Sequence, residues 1–558
     1  MLIVPHDASG DVLVCTEGLS FWGGVDPDTG MVIDAHHPQN GVCLAGRIVL
    51  MPTSRGSCSG SGVLLELARN GHAPAALVFH ENEDILTLGA IIAGRLFDCS
   101  LAVVRLPKEQ YDALSRADTA EIQGSSILFE GQAISLALTV SGSLKLDNED
   151  RKYLDGKMGH AAQVAMEVLC LMAVAQGATE LTTVSRGHID GCILAHDANL
   201  DFAEKMLQMG ARTVVPTTIN AISVDRENWH TQAVPPDFGS RASRLADAYV
   251  KMGARPTFTC APYLLDGHPV QDEAIGWSES NAVIFANTVL GARTQKHPDY
   301  LDLFIAMTGR APLSGVYLAR NRVPACELRV DPPAEMDDAF WPLLGWIAGS
   351  RSPQAIPLIT GLEKLSPSKD DLKAMCAAFG TTSAAPMLHI FGHTPEANLP
   401  LRPGAPVCRI GIGDFAKVWR DFNVPADTID LVALGSPHAS YFECLAFAEA
   451  LGDRHCHPET DTIITVGRNV MAQCEASGVL HRLKNAGVQI IPDLCWCSIT
   501  EPVFPRSAST LMTNSGKYAH YANGLTGRAV RFGSLGDCAE AAVTGKASNT
   551  PPKWLEDG

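Results

Sequence analysis

A basic excess is missing from this chain: 43 lysines and arginines face 61 aspartates and glutamates, a formal net charge of −18 over 558 residues. Nucleic-acid backbones need a basic face, so that class of partner is excluded. An anionic small molecule is not, because a local cationic pocket overrides the average field. Long apolar runs are missing too. The best stretch, residues 85–104, is broken by Arg95 and Asp98, which leaves no membrane span. The opening Met-Leu-Ile-Val-Pro-His-Asp lacks the basic and apolar regions of an export signal. The sixteen cysteines therefore read as thiols of a reducing cytoplasm and not as a disulfide frame. No internal repeat or low-complexity tract is visible, and the length fits about three or four domains.

What is present is concentrated first in the run from Pro52 to Leu67, Pro-Thr-Ser-Arg-Gly-Ser-Cys-Ser-Gly-Ser-Gly-Val-Leu-Leu-Glu-Leu. Arg55 and five hydroxyls stand between a buried strand pattern (46–51) and a helical one, in which Val63, Leu64, Leu67 and Ala68 share a face. Ser61 falls near that helix's first turn, where free N–H groups and the positive dipole end favour an anion or an alkoxide. The plain alternative is a glycine-rich turn with a serine cap. No Gly-Lys-Ser/Thr comes after it, so it is not a Walker loop.

The patterning divides the chain into two modules. Residues 1–143 alternate short strands with two helices, at 60–70 and 83–94, and carry the serine loop. Residues 144–558 open on an Asp- or Asn-capped helix after Leu144. They then alternate helix and strand as doubly wound sheets do, for example at 164–175, 213–216 and 429–434, the last leading into a helix that starts at Ser440. The fold class is α/β.

Four blocks in order carry a resemblance: Phe258-Thr-Cys260-Ala-Pro-Tyr263; Trp277 to Thr294 with Glu279, Ser280 and Asn281; Gly435-Ser-Pro-His438; and Asp493-Leu-Cys495-Trp-Cys497. With Ser20 to Gly30, Arg55-Gly-Ser57 and Gly89 to Gly94, the chain resembles the aconitase X family over nearly its whole length. That resemblance implies an aconitase-like fold: several α/β/α domains around an iron–sulfur site, plus an N-terminal swivelling β/β/α domain, here fused. It also implies a hydro-lyase. The bacterial fused members dehydrate cis-3-hydroxy-L-proline to 1-pyrroline-2-carboxylate, and the archaeal two-subunit members dehydrate mevalonate 5-phosphate. Fusion, Ser436 in place of a cysteine, and the Cys495/Cys497 pair side with the first. An iron–sulfur binding or regulatory protein is the reading from another class, and the acidic balance speaks against it.

Spacing alone is a weak argument for metal here, since Cys495-Trp-Cys497 is not a ferredoxin run and a lone Cys260 is usually a small core hydrophobe. The resemblance implies Cys260, Cys495 and Cys497 as ligands of an iron–sulfur cluster, 2Fe–2S in preference to 4Fe–4S, with Cys58 as a minor candidate. It also implies Ser61 as the base, Ser57 as its alternative and Arg55 as stabiliser or carboxylate clamp. Thr217, Thr218, Asn220, Glu279, Ser280, Asn281, His188, His438 and Lys517 are its substrate-binding candidates, each with an ordinary structural alternative as a capped turn, a core histidine or a solvated lysine. The expected partner is a small hydroxy amino acid, without nucleic acid or membrane. Oligomeric state is not legible.

Overall fold

The structure, a computed structural model, describes residues 1–139 and 141–555. The N-terminal part is an eight-stranded sheet in the order Leu2–Val4, Ala102–Arg105, Ala76–Phe79, Ile48–Leu50, Ala8–Val14, Thr119–Gln123, Ser126–Phe129, Gln132–Ser135. Its four central strands are parallel, and antiparallel strands flank them on both sides. Ile48, Val49 and Leu50 are all buried, as a continuous apolar run covered on both faces should be. Helices Gly60–Arg69 and Ile85–Phe97 pack on each other on one side of this sheet.

Those two helices do not face water. Leu64, Leu67, Ile91 and Ile92 belong to the same hydrophobic cluster as Ala165, Leu169, Phe202, Tyr300 and Leu303 of the next layer. Glu66 accepts the Ala198 amide at 2.7 Å, at the start of helix Asp197–Gln208, and Arg95 meets Glu167 at 2.7 Å. The N-terminal module is thus docked on the rest of the chain through one shared core. Between them lie a 3₁₀ turn at Ser141–Ser143 and a helix at Asn148–Leu154, which Asp147 caps reciprocally with Asp150.

Among the described residues, three parallel sheets and one antiparallel pair, Leu181–Thr183 with Arg310–Pro312, build the remainder. Gly187–Ile189 lies between Thr217–Ile219 and Gly276–Trp277. Cys326–Val330 and three partners form a four-stranded sheet. A five-stranded sheet runs Gln489–Pro492, Asp461–Val466, Leu431–Ala439, Thr510–Thr513, Ala529–Phe532. One expected strand, 213–216, is displaced to Thr217–Ile219. Pro216 has no N–H to give a ladder, and Val214 beside it is exposed. The helix after Ser440 is as expected, Tyr441–Leu451, with the serine side chain accepting from Glu443 N–H. Among the described residues no helix is long and apolar enough to cross a membrane.

Candidate active site

The site is made where parallel strands end, which is where open α/β sheets leave a crevice. Ile189 and Ile219 are register partners, so the residues after them, Asp190 and Asn220, emerge side by side. Glu279 comes just after the third strand. Asn220 Nδ2 donates to both, to Asp190 Oδ1 and to Glu279 Oε2 at 3.2 Å. From the five-stranded sheet come Cys495 and Cys497, just beyond Gln489–Pro492, and Lys517, in the first turn of helix Gly516–Thr526. Lys517 Nζ lies 2.9 Å from Glu279 Oε1. Asn281 donates to the same carboxylate and to the Cys260 carbonyl, and its own carbonyl accepts from Tyr263 OH at 2.9 Å.

These groups surround one cavity of about 350 Å³ roofed by the N-terminal module. Cys260, Cys495, Cys497, Asn220, Glu279, Ser280, Asn281 and Lys517 line one side; Ser57, Cys58, Ser59 and Gly62, with Ser20 and Trp22, line the other. Gly56, at φ +92°, lets the loop pass over Ser20, whose hydroxyl a Cβ would strike.

The three sulfurs form a compact group. Cys260 and Cys495 pack with Ala221 as a buried cluster, and Cys497 is half-buried against it. Hydrogen bonds from Cys260 and Cys497 hold the Cys495 thiol well below its ordinary pKa, assisted by Lys517 and His438, while burial pushes Cys260 up and the bond to Cys495 does the same to Cys497. A thiolate with two further thiols beside it and a buried lysine at hand is a donor set suited to an iron–sulfur cluster. Lys517 itself is penalised by burial, but Glu279 and the three cysteines outweigh that and keep it charged. Burial likewise opposes ionisation of Glu279, and Lys517 overcomes it.

Several expected site residues lie elsewhere. Ser61 is 0% exposed, does not line the cavity, and donates its hydroxyl to the Cys58 carbonyl at 2.9 Å. It occupies the helix's second position, in the packing with Ile85–Phe97, where Gly89 lies against its backbone. Ser57 does line the cavity, and its Oγ accepts the Ser59 N–H at 3.3 Å. Arg55 points outward, to Asp34 at 3.1 Å and Glu17 at 3.7 Å. Thr217 and Thr218 line a separate hollow of about 60 Å³ with Arg186 and Arg255. His188 is fully buried, bonded to Thr218 Oγ1 at 2.7 Å, and burial takes its pKa down to about 4. His438 is buried as a brace between the cysteine loops: its ring bonds Thr259 Oγ1 at 3.1 Å and the Leu494 carbonyl at 2.6 Å, and its amide donates to Cys260 Sγ at 3.3 Å. Ser436 is buried outside the cavity lining.

Sequence reasoning missed Asp190, Asp299, Asn199 and His196, all on the cavity wall. Asp190 lies two residues after the candidate His188. Asp190, Asp299 and Cys58 bring one ligand atom each within 4.8 Å of one another, a buried group that can hold a cation. Burial, with Glu279 and Asp299 next to it, raises Asp190 well above the carboxylate range, and burial takes Asp299 to about 6.

Comparison with known proteins places this architecture. Residues 1–130 match the model of the aconitase X swivel domain, 143–320 the aconitase X first domain, 324–420 the second and 429–544 the third. A cis-3-hydroxy-L-proline dehydratase of Pseudomonas aeruginosa is 46% identical over an alignment covering 100% of this chain and 99% of that protein. The phosphomevalonate dehydratase large subunit of Methanothermobacter thermautotrophicus is 30% identical over 69% of this chain and 96% of its own length. The holo-form crystal structure of Thermococcus kodakaraensis aconitase X superposes with a TM-score of 0.65 at 28% identity, covering 72% of this chain and 100% of that one. With all four domains matched in order and a relative aligned from end to end, the chain belongs to the aconitase X family and is a hydro-lyase.

Proposed function

We propose that this enzyme removes water from cis-3-hydroxy-L-proline to give 1-pyrroline-2-carboxylate. The observation that carries the reading is a single cavity with three thiols on one wall and a hydroxyl at a helix N-terminus on the other. The full-length likeness to a protein of that activity supports it.

Dehydration requires a proton to leave C2 while the hydroxyl on C3 departs, and the enamine so formed gains a proton at C3 and loses one from nitrogen to become 1-pyrroline-2-carboxylate. Cys260, Cys495 and Cys497 would hold an iron–sulfur cluster, 2Fe–2S in preference to 4Fe–4S because two of the thiols stand one residue apart and suit a cube less well. When bound, the cluster supplies an open iron position that acts as a Lewis acid towards the leaving hydroxyl without net redox change. Ser57, facing it, takes the C2 proton. The Ser59 N–H that its Oγ accepts, and the dipole of helix Gly60–Arg69 behind it, stabilise the alkoxide. Lys517 holds the Glu279 carboxylate in place and presents a positive charge to the substrate carboxylate. The docked N-terminal module excludes bulk water and brings the base over the thiol wall.

Assay of anaerobically purified, iron-loaded protein on both in-family substrates tests the reading. Turnover of cis-3-hydroxy-L-proline with none of mevalonate 5-phosphate is expected; the reverse preference overturns it.

A further inference from the structure

The charges on the cavity wall are unbalanced. Among the described residues Lys517 is the one lysine there and no arginine joins it, while Asp34, Asp190, Glu279 and Asp299 all reach the wall. Lys517 is already matched by Glu279, and Asp34 at the rim by Arg55. That leaves Asp190 and Asp299. Their carboxyl oxygens approach within 4.8 Å in a region nearly closed to solvent, Asp299 being 3% exposed. Two adjacent buried carboxyls either share one proton, as the raised Asp190 allows, or are both ionised with a cation between or beside them.

Asp190 has both carboxyl oxygens partnered within the protein: Cys58 S–H donates to its Oδ2 at 3.1 Å and Asn220 to its Oδ1. Asp299 is only half satisfied. Hydrogen bonds from Ser59, Cys58 and a protonated Asp190 favour its ionised form, yet its Oδ1 is buried with no partner from any other side chain or backbone group. Buried polar atoms are rarely left so, and one on a ligand cavity points to a donor that arrives with the ligand.

We infer that Asp190 and Asp299 form the receptor for the secondary ammonium of a cyclic amino acid. This rests on the dehydratase reading and names the feature that selects its substrate class. A resident metal ion fits less well, because Cys58 acts as a hydrogen donor to Asp190 and its burial among carboxylates pushes the thiol up, so it offers no thiolate. The placement agrees with the reaction. Asp299 N–H donates to the Cys58 carbonyl at 3.4 Å, which ties the carboxylate to the serine loop. In the substrate, nitrogen is bonded to C2, the carbon whose proton Ser57 takes. A phosphate ester carrying no cation would meet these two carboxylates with nothing to offer them.

The test needs no turnover. Calorimetric titration of the iron-loaded enzyme compares L-proline with cyclopentanecarboxylate, the same ring and carboxylate without the ammonium. L-Proline should bind at least about tenfold tighter, as expected of a charge-assisted hydrogen bond in a dry site. Asp299→Asn should erase that preference by weakening L-proline about tenfold or more, with cyclopentanecarboxylate changed less than about threefold and iron content and Tm kept. Equal affinity of the wild type for the two ligands overturns the inference even if Asp299→Asn does not fold. So does a metal other than iron, bound stoichiometrically in the wild type and lost in the variant. If the preference stands but cis-3-hydroxy-L-proline is not dehydrated, the ammonium receptor survives and the dehydratase reading fails. Dehydration without the preference overturns the receptor and leaves the dehydratase reading standing.

Discussion

Ser57 Oγ accepts the backbone N–H of Ser59 at 3.3 Å, and Ser59 is the residue from which helix Gly60–Arg69 departs. A deprotonated Ser57 is therefore met by an amide and by the positive end of a helix, while Ser61, inside the first turn, spends its hydroxyl on a carbonyl.

It follows that Ser57→Ala should keep iron and visible spectrum and lower kcat by about a hundredfold or more. Exchange of the C2 proton in deuterated water, measured by mass spectrometry of recovered substrate, should vanish with it. Ser61→Ala should retain kcat within a few fold and show instead a loss of about 1 kcal/mol in denaturant unfolding. The opposite pattern returns the base to Ser61.

Iron content checks the thiol wall. Cys260→Ala, Cys495→Ala and Cys497→Ala should each lose colour, iron and activity, since each sulfur sits in the same buried group. Ser436→Ala should keep all three, because Ser436 does not reach the cavity. Iron loss in Ser436→Ala, without loss of fold, would make that serine a ligand.

Arg55 tests what the loop's charge is for. Its side chain is 44% exposed and paired with Glu17 and, at the cavity rim, with Asp34, and it does not itself line the cavity. Arg55→Lys should change kcat less than about threefold, as exposed pairs are worth little. A hundredfold loss would show that the arginine turns inward to the substrate.

Acid stability should report His297. It is fully buried with Nε2 2.9 Å from Tyr317 OH, and burial takes its pKa down to about 3. The unfolded chain takes up a proton near the ordinary value of 6.5 and the folded one does not until far lower pH, so stability present above pH 6.5 is lost as pH falls towards 3. The slope from this group is about 1.4 kcal/mol per pH unit within the window. His297→Gln should flatten the fall in unfolding free energy between about pH 6.5 and 4.5; an unchanged slope means the histidine is not the group that protonates.

Blocks around Cys260, Glu279, Cys495 and Lys517, singled out by the resemblance and not by local pattern, converge on one cavity; Glu279, Cys495 and Lys517 come just past strands, whereas Cys260 lies in a loop. The serine assignment was harder. Ser57 and Ser61 are four apart, and which one faces the cavity depends on where the helix begins and how it docks against Ile85–Phe97, a tertiary matter. His438 reads as a substrate-binding candidate because it stands in one of the blocks that carry the resemblance. Its three bonds to Thr259, Leu494 and Cys260 are long-range and leave no trace in spacing. Asp299 is the clearest omission: it lies just past the Trp277–Thr294 block, and its burial beside the Cys58 loop is a tertiary matter.

The seam between the N-terminal module and the layer beneath it has a bearing on concentration. The Methanothermobacter relative is named as a large subunit, and a protein of the same organism named as the small subunit matches another 15% of this chain. Separate polypeptides assemble in a bimolecular equilibrium that dilution opposes. Here the two faces are tethered through residues 136–147, and a short tether holds its ends at an effective concentration of order millimolar. Specific activity should accordingly be independent of enzyme concentration down to the lowest amounts assayed.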